Sequence, residues 1–411
     1  MRISTARFQT VSISNVLEQQ AKLTKLQQQL STGRRILTPA DDPAGAAQAL
    51  QLAARIGNLE RLQQNATLAG NQLGQEEVAL EQVSNLIQRV RDLTLDAKND
   101  SKAAADRNLI AAELRERFNE LLQIANAQDG NGEYLFAGAA SREAPFHVVT
   151  GREVAYTGDQ TIRYVQVGPT RQLPVNHTGF DVFMRIPEGS GSFVARSTAK
   201  NQGSALIENA HLVAGATYSG SEYRLRFEEN TAGELVYLVE RDGELIVPAP
   251  PATDPDAAPV FVAGERIEFD GVSLIIRGEP VVGDSIEVAP AGHQSLFQTL
   301  DELITVLEQA EDTASNRAHM HNVLSNVLDN LDSARENILR VRAEVGSRLH
   351  AIDAETEGNA DTLLALQTTR SKLEDLDYAS AISDFSLQLV GLQAAQKTYL
   401  QVQGLSLFNL L

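Results

Sequence analysis

The chain has no cysteine and no tryptophan among its 411 residues. Disulfides, thiolate metal sites and cysteine nucleophiles are therefore excluded. Basic side chains are also in short supply, 35 against 54 acids for a formal charge of -19. That balance opposes nucleic acid as a partner, since displacing its counterions takes a lysine and arginine footprint. No window approaches the roughly 20 apolar residues that cross a bilayer, so no membrane partner is expected either. The first twenty residues, MRISTARFQTVSISNVLEQQ, break every apolar run with a polar residue and lack the core of a secretory signal. If the protein leaves the cell, another route is expected.

Proline is absent where helices need it to be. Pro39 and Pro43 lie near the start, Pro145 opens a middle stretch, the others fall between Pro169 and Pro290, and none follows Pro290. An interior proline costs a helix about 3 kcal/mol. Both ends are thus free to form long helices and the middle is not.

The two ends carry matching stripes. Ile13, Val16, Gln20, Leu23, Leu26 and Leu30 step by threes and fours, as do Ile382, Phe385, Leu389, Leu392, Gln396 and Tyr399. Residues 1–40 hold six basic side chains against Glu18, and residues 371–411 hold two against four acids. Opposite signs favour pairing of the ends, though each exposed pair is worth only about 0.2–1 kcal/mol. Isolated helices of this length are marginal in water, so the ends are expected to order only as they are buried.

Between the first stripe and the next helix, Gly33 suits a left-handed C-terminal cap, and Pro39 forbids simple continuation. Asp42 then caps a new helix with Pro43 in its first turn. Gly33, Pro39, Asp42 and Pro43 are read as a helix connector, and the tandem Asp41 and Asp42 as caps rather than an acid/base pair. Helical patterns follow over 44–98, 103–127, 294–309 and 315–352, the last of them roughly 57 Å long at 1.5 Å per residue. The stretch DGNGEYLFAGAASREAPF reads as a hairpin with an aromatic-bearing extended arm. From Pro145 to Pro290 the period changes to two, with strands expected at 223–227, 235–239, 245–247, 267–269 and 272–276. PAPPATDPDAAP is a loop.

Catalytic and metal motifs are weak. His319 and His321 stand about 200° apart on a helix and cannot face one metal. Asp129, Asn131 and Glu133 alternate as calcium ligands do, but Tyr134 occupies the position that needs glycine. No nucleophile elbow, phosphate loop or dinucleotide fingerprint is present. The 20 acids of the insert allow a glycosidase pair only by chance proximity. No cofactor, metal or catalysis is expected.

With LSTGRRILTPADDPAGAAQAL (Leu30 to Leu50), GEYLFAGAASREAPF (Gly132 to Phe146), YTGD (Tyr156 to Asp159), GERIEFDGVSLIIRGEPVVGDSIEV (Gly264 to Val288) and the C-terminal KLEDLDYASAISDFSLQLVGLQAAQKTYLQVQGLSLFNLL in view, the chain resembles the bacterial flagellin superfamily. Pro39 with Pro43, and the Tyr134, Leu135, Phe136 run, resemble its junction-forming branch more than its filament-forming one. That resemblance implies a structural, extracellular subunit of the bacterial flagellum, exported by type III secretion without a cleaved signal peptide. It implies a homo-oligomeric ring, with the other hook-associated junction protein, flagellin and an export chaperone as partners.

The expected fold is mainly α with a β insert. Residues 1–40 with 371–411 form a terminal coiled coil, 41–144 with 291–370 a helical bundle, and 145–290 one or two small β domains. The expected assembly interface is Ile13, Val16, Leu23, Leu26, Leu30, Ile382, Phe385, Leu389, Leu392, Tyr399, Val402 and Leu405. Alternatives are a filament-building flagellin, or a secreted adhesin or glycan-active enzyme acting through the insert.

Overall fold

The fold is that of a computed structural model, which describes residues 5–189, 191–249, 254–309 and 311–404. Helices occupy both ends: α1 (Thr5–Thr32), α2 (Pro43–Ala97), α3 (Ala104–Ala125), α4 (Leu296–Gln309), α5 (Ala314–Glu374) and α6 (Tyr378–Gly404). Strands fill the middle. The first are β1 (Phe146–Thr150), β2 (Glu153–Tyr156), β3 (Tyr164–Gln166), β4 (Gln172–Pro174) and β5 (Ile186–Pro187). Then come β6 (Phe193–Ser197), β7 (Leu206–Leu212), β8 (Tyr223–Glu229), β9 (Leu235–Arg241) and β10 (Glu244–Val247). The last are β11 (Arg266–Phe269), β12 (Val272–Arg277), β13 (Ser285–Pro290) and β14 (His293–Gln294).

Two compact units divide the chain, one of Met1–Thr67, Gln166–Arg171 and Asp353–Leu411, the other of Leu68–Val165 and Gln172–Ile352. This partition differs from the expected division into three. Helix α5 runs on past Ile352 to Glu374, because no proline interrupts its apolar spacing, now carried by Leu363 and Leu366.

In the second unit α5 buries Leu324, Val327, Leu331, Ala334, Ile338, Val341 and Val345, and α2 buries Leu73, Leu80, Val83, Leu86, Ile87 and Val90. Every step along the α5 row is three or four, and the α2 row keeps the same face, so each row is one stripe. Ion pairs flank the seam, with Arg342 to Glu77 at 2.7 Å and Arg91 to Asp332 at 3.1 Å.

An aromatic knot seals the join between helices and insert. Phe146 lies 5.5 Å from Phe183 and 5.4 Å from Phe297, centroid to centroid, and Phe136 lies 5.1 Å edge-on to Phe183. Such edge contacts add about 0.5–1.5 kcal/mol beyond burial. The residues 129–146 arm is a turn closed by an isolated bridge from Gln128 to Tyr134 rather than the expected hairpin. The reason is Asp129, whose carboxylate accepts from the amides of Asn131 and Glu133 at 2.8 and 2.9 Å and tightens the loop. Two of the sequence motifs interlock here. Tyr156 donates its hydroxyl to the carbonyls of Phe136 and Asp159, and Gly138, at φ +68°, leaves no room for a Cβ beside the Asp159 carbonyl. Burial pushes the Tyr156 phenol up to about 12.

The rest of the insert is a sandwich. One sheet has the order β10-β9-β8-β13-β6 and the other β11-β12-β7. Their facing sides share one core, including Tyr223, Leu225, Phe227, Leu274, Ile276, Ile286 and Val288. Strands β8 to β12 fall where alternation places them; β6, β7 and β13 are further strands, of which β6 buries three residues in a row while β13 alternates about Ile286 and Val288.

The bundle core generates a first prediction. Leu331→Ala, at a fully buried position, should cost about 2–5 kcal/mol in denaturant unfolding. Leu339→Ala on the same helix, 48% exposed, should shift the midpoint little.

Candidate assembly surface

The first unit brings the chain ends together. Helices α1 and α6 pack on each other, and they run antiparallel: Arg34 bridges Asp375 at one end, while Gln19 approaches Gly391 farther along. On α1 the half-buried positions are Ser12, Val16, Gln19, Leu23, Leu26, Gln29 and Leu30; on α6 the inward row is Ala381, Phe385, Gln388, Leu392, Ala395 and Tyr399. The α6 row alternates steps of four and three, the 3.5-residue period of a coiled-coil seam. Glycine at 391 and alanine at 381 and 395 let the backbones approach. Residues 5–32 and 378–404 are thus helices that lean on each other.

A polar clamp fixes where the pair begins. Gly33 ends α1 at φ +69°, its amide donating to Gln29 O at 2.8 Å and its carbonyl accepting from Leu376 N at 2.9 Å. A Cβ there would lie 2.8 Å from the Tyr378 hydroxyl oxygen. Arg35 ties the strand to the end of α5, with its amide on Glu374 O at 2.7 Å and its guanidinium on Leu373 O at 2.8 Å. Pro39 opens a turn closed by Asp41 N on Thr38 O at 3.0 Å. Asp42 accepts from Gly45 N at 2.9 Å and caps α2, with Pro43 its first residue. Asp41 accepts from the amides of Leu37 and Thr38 and meets the Lys25 ammonium at 2.6 Å. Lys25 first, then the Thr38 amide, hold its carboxyl down at about 2.

The twelve expected interface residues divide by face. Val16, Leu23, Leu26, Leu30, Phe385, Leu392 and Tyr399 lie on the inward rows. Ile13, Ile382 and Leu389 lie outside them and are 44%, 54% and 37% exposed. Val402 and Leu405 lie outside the described side chains. Register separates the two groups: a one-residue step moves a position by 100°, and the seam within the chain starts at Ser12 and Ala381. Val11, Leu17, Leu387, Val390 and Leu400 are also exposed, at 52–75%. Sequence reasoning missed Arg35, Tyr378 and the capping role of Asp377, whose carboxylate accepts from Ala379 N; an Asp shortly before the α6 stripe was the available signal.

Several polar groups elsewhere are held in ion pairs. Buried His177 bridges Glu76 at 2.6 Å and Glu344 at 3.3 Å. Burial opposes the Glu344 charge, yet His177 and Arg340 outweigh it and hold its carboxyl below the usual range. His321 pairs with Asp100 at 2.8 Å. Burial alone pushes the His319 imidazole down. Among the described residues no group of three or more histidine or acidic side chains is placed to hold a metal, and no helix is long and apolar enough to cross a membrane.

Comparison with known proteins agrees with a helical assembly subunit. The family profile of the bacterial flagellin N-terminal helical region matches residues 3–141. Flagellar hook-associated protein 3 of Salmonella typhimurium is 27% identical over 410 residues, spanning 100% of this chain and 99% of its own length. The crystal structure of flagellar hook associated protein-3 from Legionella pneumophila is 32% identical, with a TM-score of 0.74, and covers 79% of this chain and 98% of that one. A Legionella pneumophila structure named flagellar junction protein FlgL is 31% identical, with a TM-score of 0.71, and covers 80% of this chain and 100% of that one.

Two predictions follow the clamp. Gly33→Ala should destabilise the terminal unit by at least the roughly 1–2 kcal/mol of a left-handed non-glycine residue; in a Tyr378→Phe background the penalty should shrink, because the clashing hydroxyl is gone. Helix melting of the four proteins in this cycle measures both. Asp41 is depressed when folded, so its contribution is fully present above about pH 4 and is lost as pH falls toward 2. The stability gap between wild type and Asp41→Asn should accordingly close over that window in an acid titration, and a gap that persists at pH 2 would refute the assignment.

Proposed function

We infer the function from membership: the chain belongs to the flagellar hook-associated protein 3 family, and it is a structural subunit of the bacterial flagellum at the junction of hook and filament. The observation that carries this reading is the length of the match. The relative from Salmonella typhimurium aligns through the β insert as well as both helical ends, whereas the flagellins of Serratia marcescens and Salmonella rubislaw align over 59% and 33% of this chain. As a flagellar component the protein acts outside the cell, and we take export without a cleaved signal peptide, with an escorting chaperone, as the route.

Assembly by helix pairing gives the exposed flanks of α1 and α6 their purpose. The inward rows are satisfied within one chain. Ile382 with Leu389 and Leu400 form an apolar flank about 90° around from the α6 row, and Ile13 with Leu17 one about 120° around from the α1 row. A neighbouring copy in a ring, or an adjoining axial protein such as flagellin or the other hook-associated protein, is the occupant proposed for them. Each side chain so buried contributes about 1.5–3 kcal/mol. In this reading the chemistry is packing, with no catalysis.

Microscopy and fractionation of cells test the reading. Deleting the gene should leave intact hooks and shed filaments into the medium. Ile382→Asp with Leu389→Asp should reproduce that loss while the purified chain keeps its helix content, since neither residue lies on the inward row. Normal motility in the double variant would refute the flank assignment. Growth of long filaments by purified subunits on their own seeds would instead favour a flagellin, and ligand binding that survives loss of both ends would favour an adhesin.

A further inference from the structure

Helix α5 carries a second stripe, made of amides. Asn322, Asn326, Asn330, Ser333 and Asn337 fall within about 80° of one another at 100° per residue. They lie about 100° around from the apolar row of Val327 to Val345. Asparagine is a poor residue for a helix interior, so four of them on one stripe call for a reason beyond the helix.

Each finds its partners on the backbone of the insert. Asn322 accepts from Ile207 N and donates to Ala205 O, both at 2.9 Å. Asn326 donates to Ala195 O at 3.3 Å. Asn330 accepts from Gly189 N at 2.7 Å, and Ser333 donates to Gly189 O at 2.7 Å. Asn337 donates to the carbonyls of Asp181 and Val182 at 3.1 Å. Asn322 and Asn330 are 4% and 5% exposed, so water competes little for these bonds.

Two of these bonds reach the edge strands of the sandwich, and the others reach the segments that lead into it. Strand β6 is the last strand of one sheet and β7 the last strand of the other. Ala195 lies in β6 and Ile207 in β7. Their outward groups face away from the ladder that pairs β6 with β13 and β7 with β12. A sheet edge of this kind is a template for another strand. The side-chain amide, with one donor and one acceptor side, is the group that can replace a strand's hydrogen bonds from a helix.

We propose that the asparagine stripe of α5 is a backbone clamp, which fixes the β-sandwich in one position on the helix and closes the edges of β6 and β7 to pairing with a second chain. The clamp needs no ligand and is independent of the junction role. It reads any backbone of the right register, so insert side chains are free to vary while the docking stays.

Hydrogen exchange on the full-length chain tests it strand by strand. In Asn322→Ala the Ile207 amide should exchange at least 10-fold faster, with β8 and β9 unchanged. In Asn326→Ala the loosening should be confined to β6. Asn337→Ala should leave both edges as protected as in the wild type, and so controls for damage to α5 itself. Unchanged exchange in the first two variants, or equal acceleration throughout the sandwich in all three, would overturn the clamp. The Asn322→Ala, Asn326→Ala double variant should also associate, by light scattering, at concentrations where the wild type does not; absence of added association would remove the edge-closing half of the proposal.

Discussion

Burial of the α5 row from Leu324 to Val345 and of the α2 row from Leu73 to Val90, on two helices joined by Arg342 to Glu77 and Arg91 to Asp332, is the constraint on which the other elements of the second unit depend. Those are the side chains that water expels most strongly, at about 1.5–3 kcal/mol each. Their burial settles which way α5 is turned about its own axis. Once it is settled, the amide stripe about 100° away has only one direction to face. From the insert, the His177 bridge between Glu76 and Glu344 meets these same two helices, while the aromatic knot of Phe136, Phe146, Phe183 and Phe297 joins the insert to α4. The His177 bridge and the amide stripe would both lose their partners if α5 were rotated by one residue.

The same logic of one helix with two faces recurs at the chain ends. The inward rows of α1 and α6 are only moderately apolar, with Ser12, Gln19, Gln388 and two alanines in them. Such a seam holds two helices together without exhausting their apolar surface. What remains, on Ile382, Leu387, Leu389, Val390 and Leu400, is more hydrophobic than what is used. A polar clamp around Gly33, Arg35, Asp41 and Tyr378 then sets the angle and register at the connector, where packing alone would leave a slide of one turn undetermined.

Much of this could be read from the residues before any coordinates. Proline placement separated helical ends from a β middle, and Gly33, Pro39, Asp42 and Pro43 sit where their backbone preferences put them. What could not be read has physical causes. A period of three and four is shared by neighbouring stripes, so Ile13 and Ile382 fitted a pattern as well as Ser12 and Ala381 do. Strands β6 and β7 lack a legible alternation because β6 keeps consecutive residues Phe193, Val194 and Ala195 buried and β7 buries none of its residues fully. The asparagines were visible as letters, but their meaning depends on partners more than a hundred residues away, as with Asn322 and Ala205.

A structural subunit of the flagellum that meets its neighbours through helices faces a particular hazard, because the surface that joins chains correctly competes with any other surface that can join them. Helix flanks pair through side chains and so carry specificity in their sequence. Sheet edges pair through backbone, which is the same in every chain, and carry almost none. In a ring or filament end, where copies are held close and effective concentration is high, an open β6 or β7 would have a second copy's edge within reach. Closing those edges with side chains of α5 leaves the specific route as the one available. The two proposals then belong to one scheme, in which the asparagine stripe would suppress the association that any chain could make and the apolar flanks would supply the association that only these helices can.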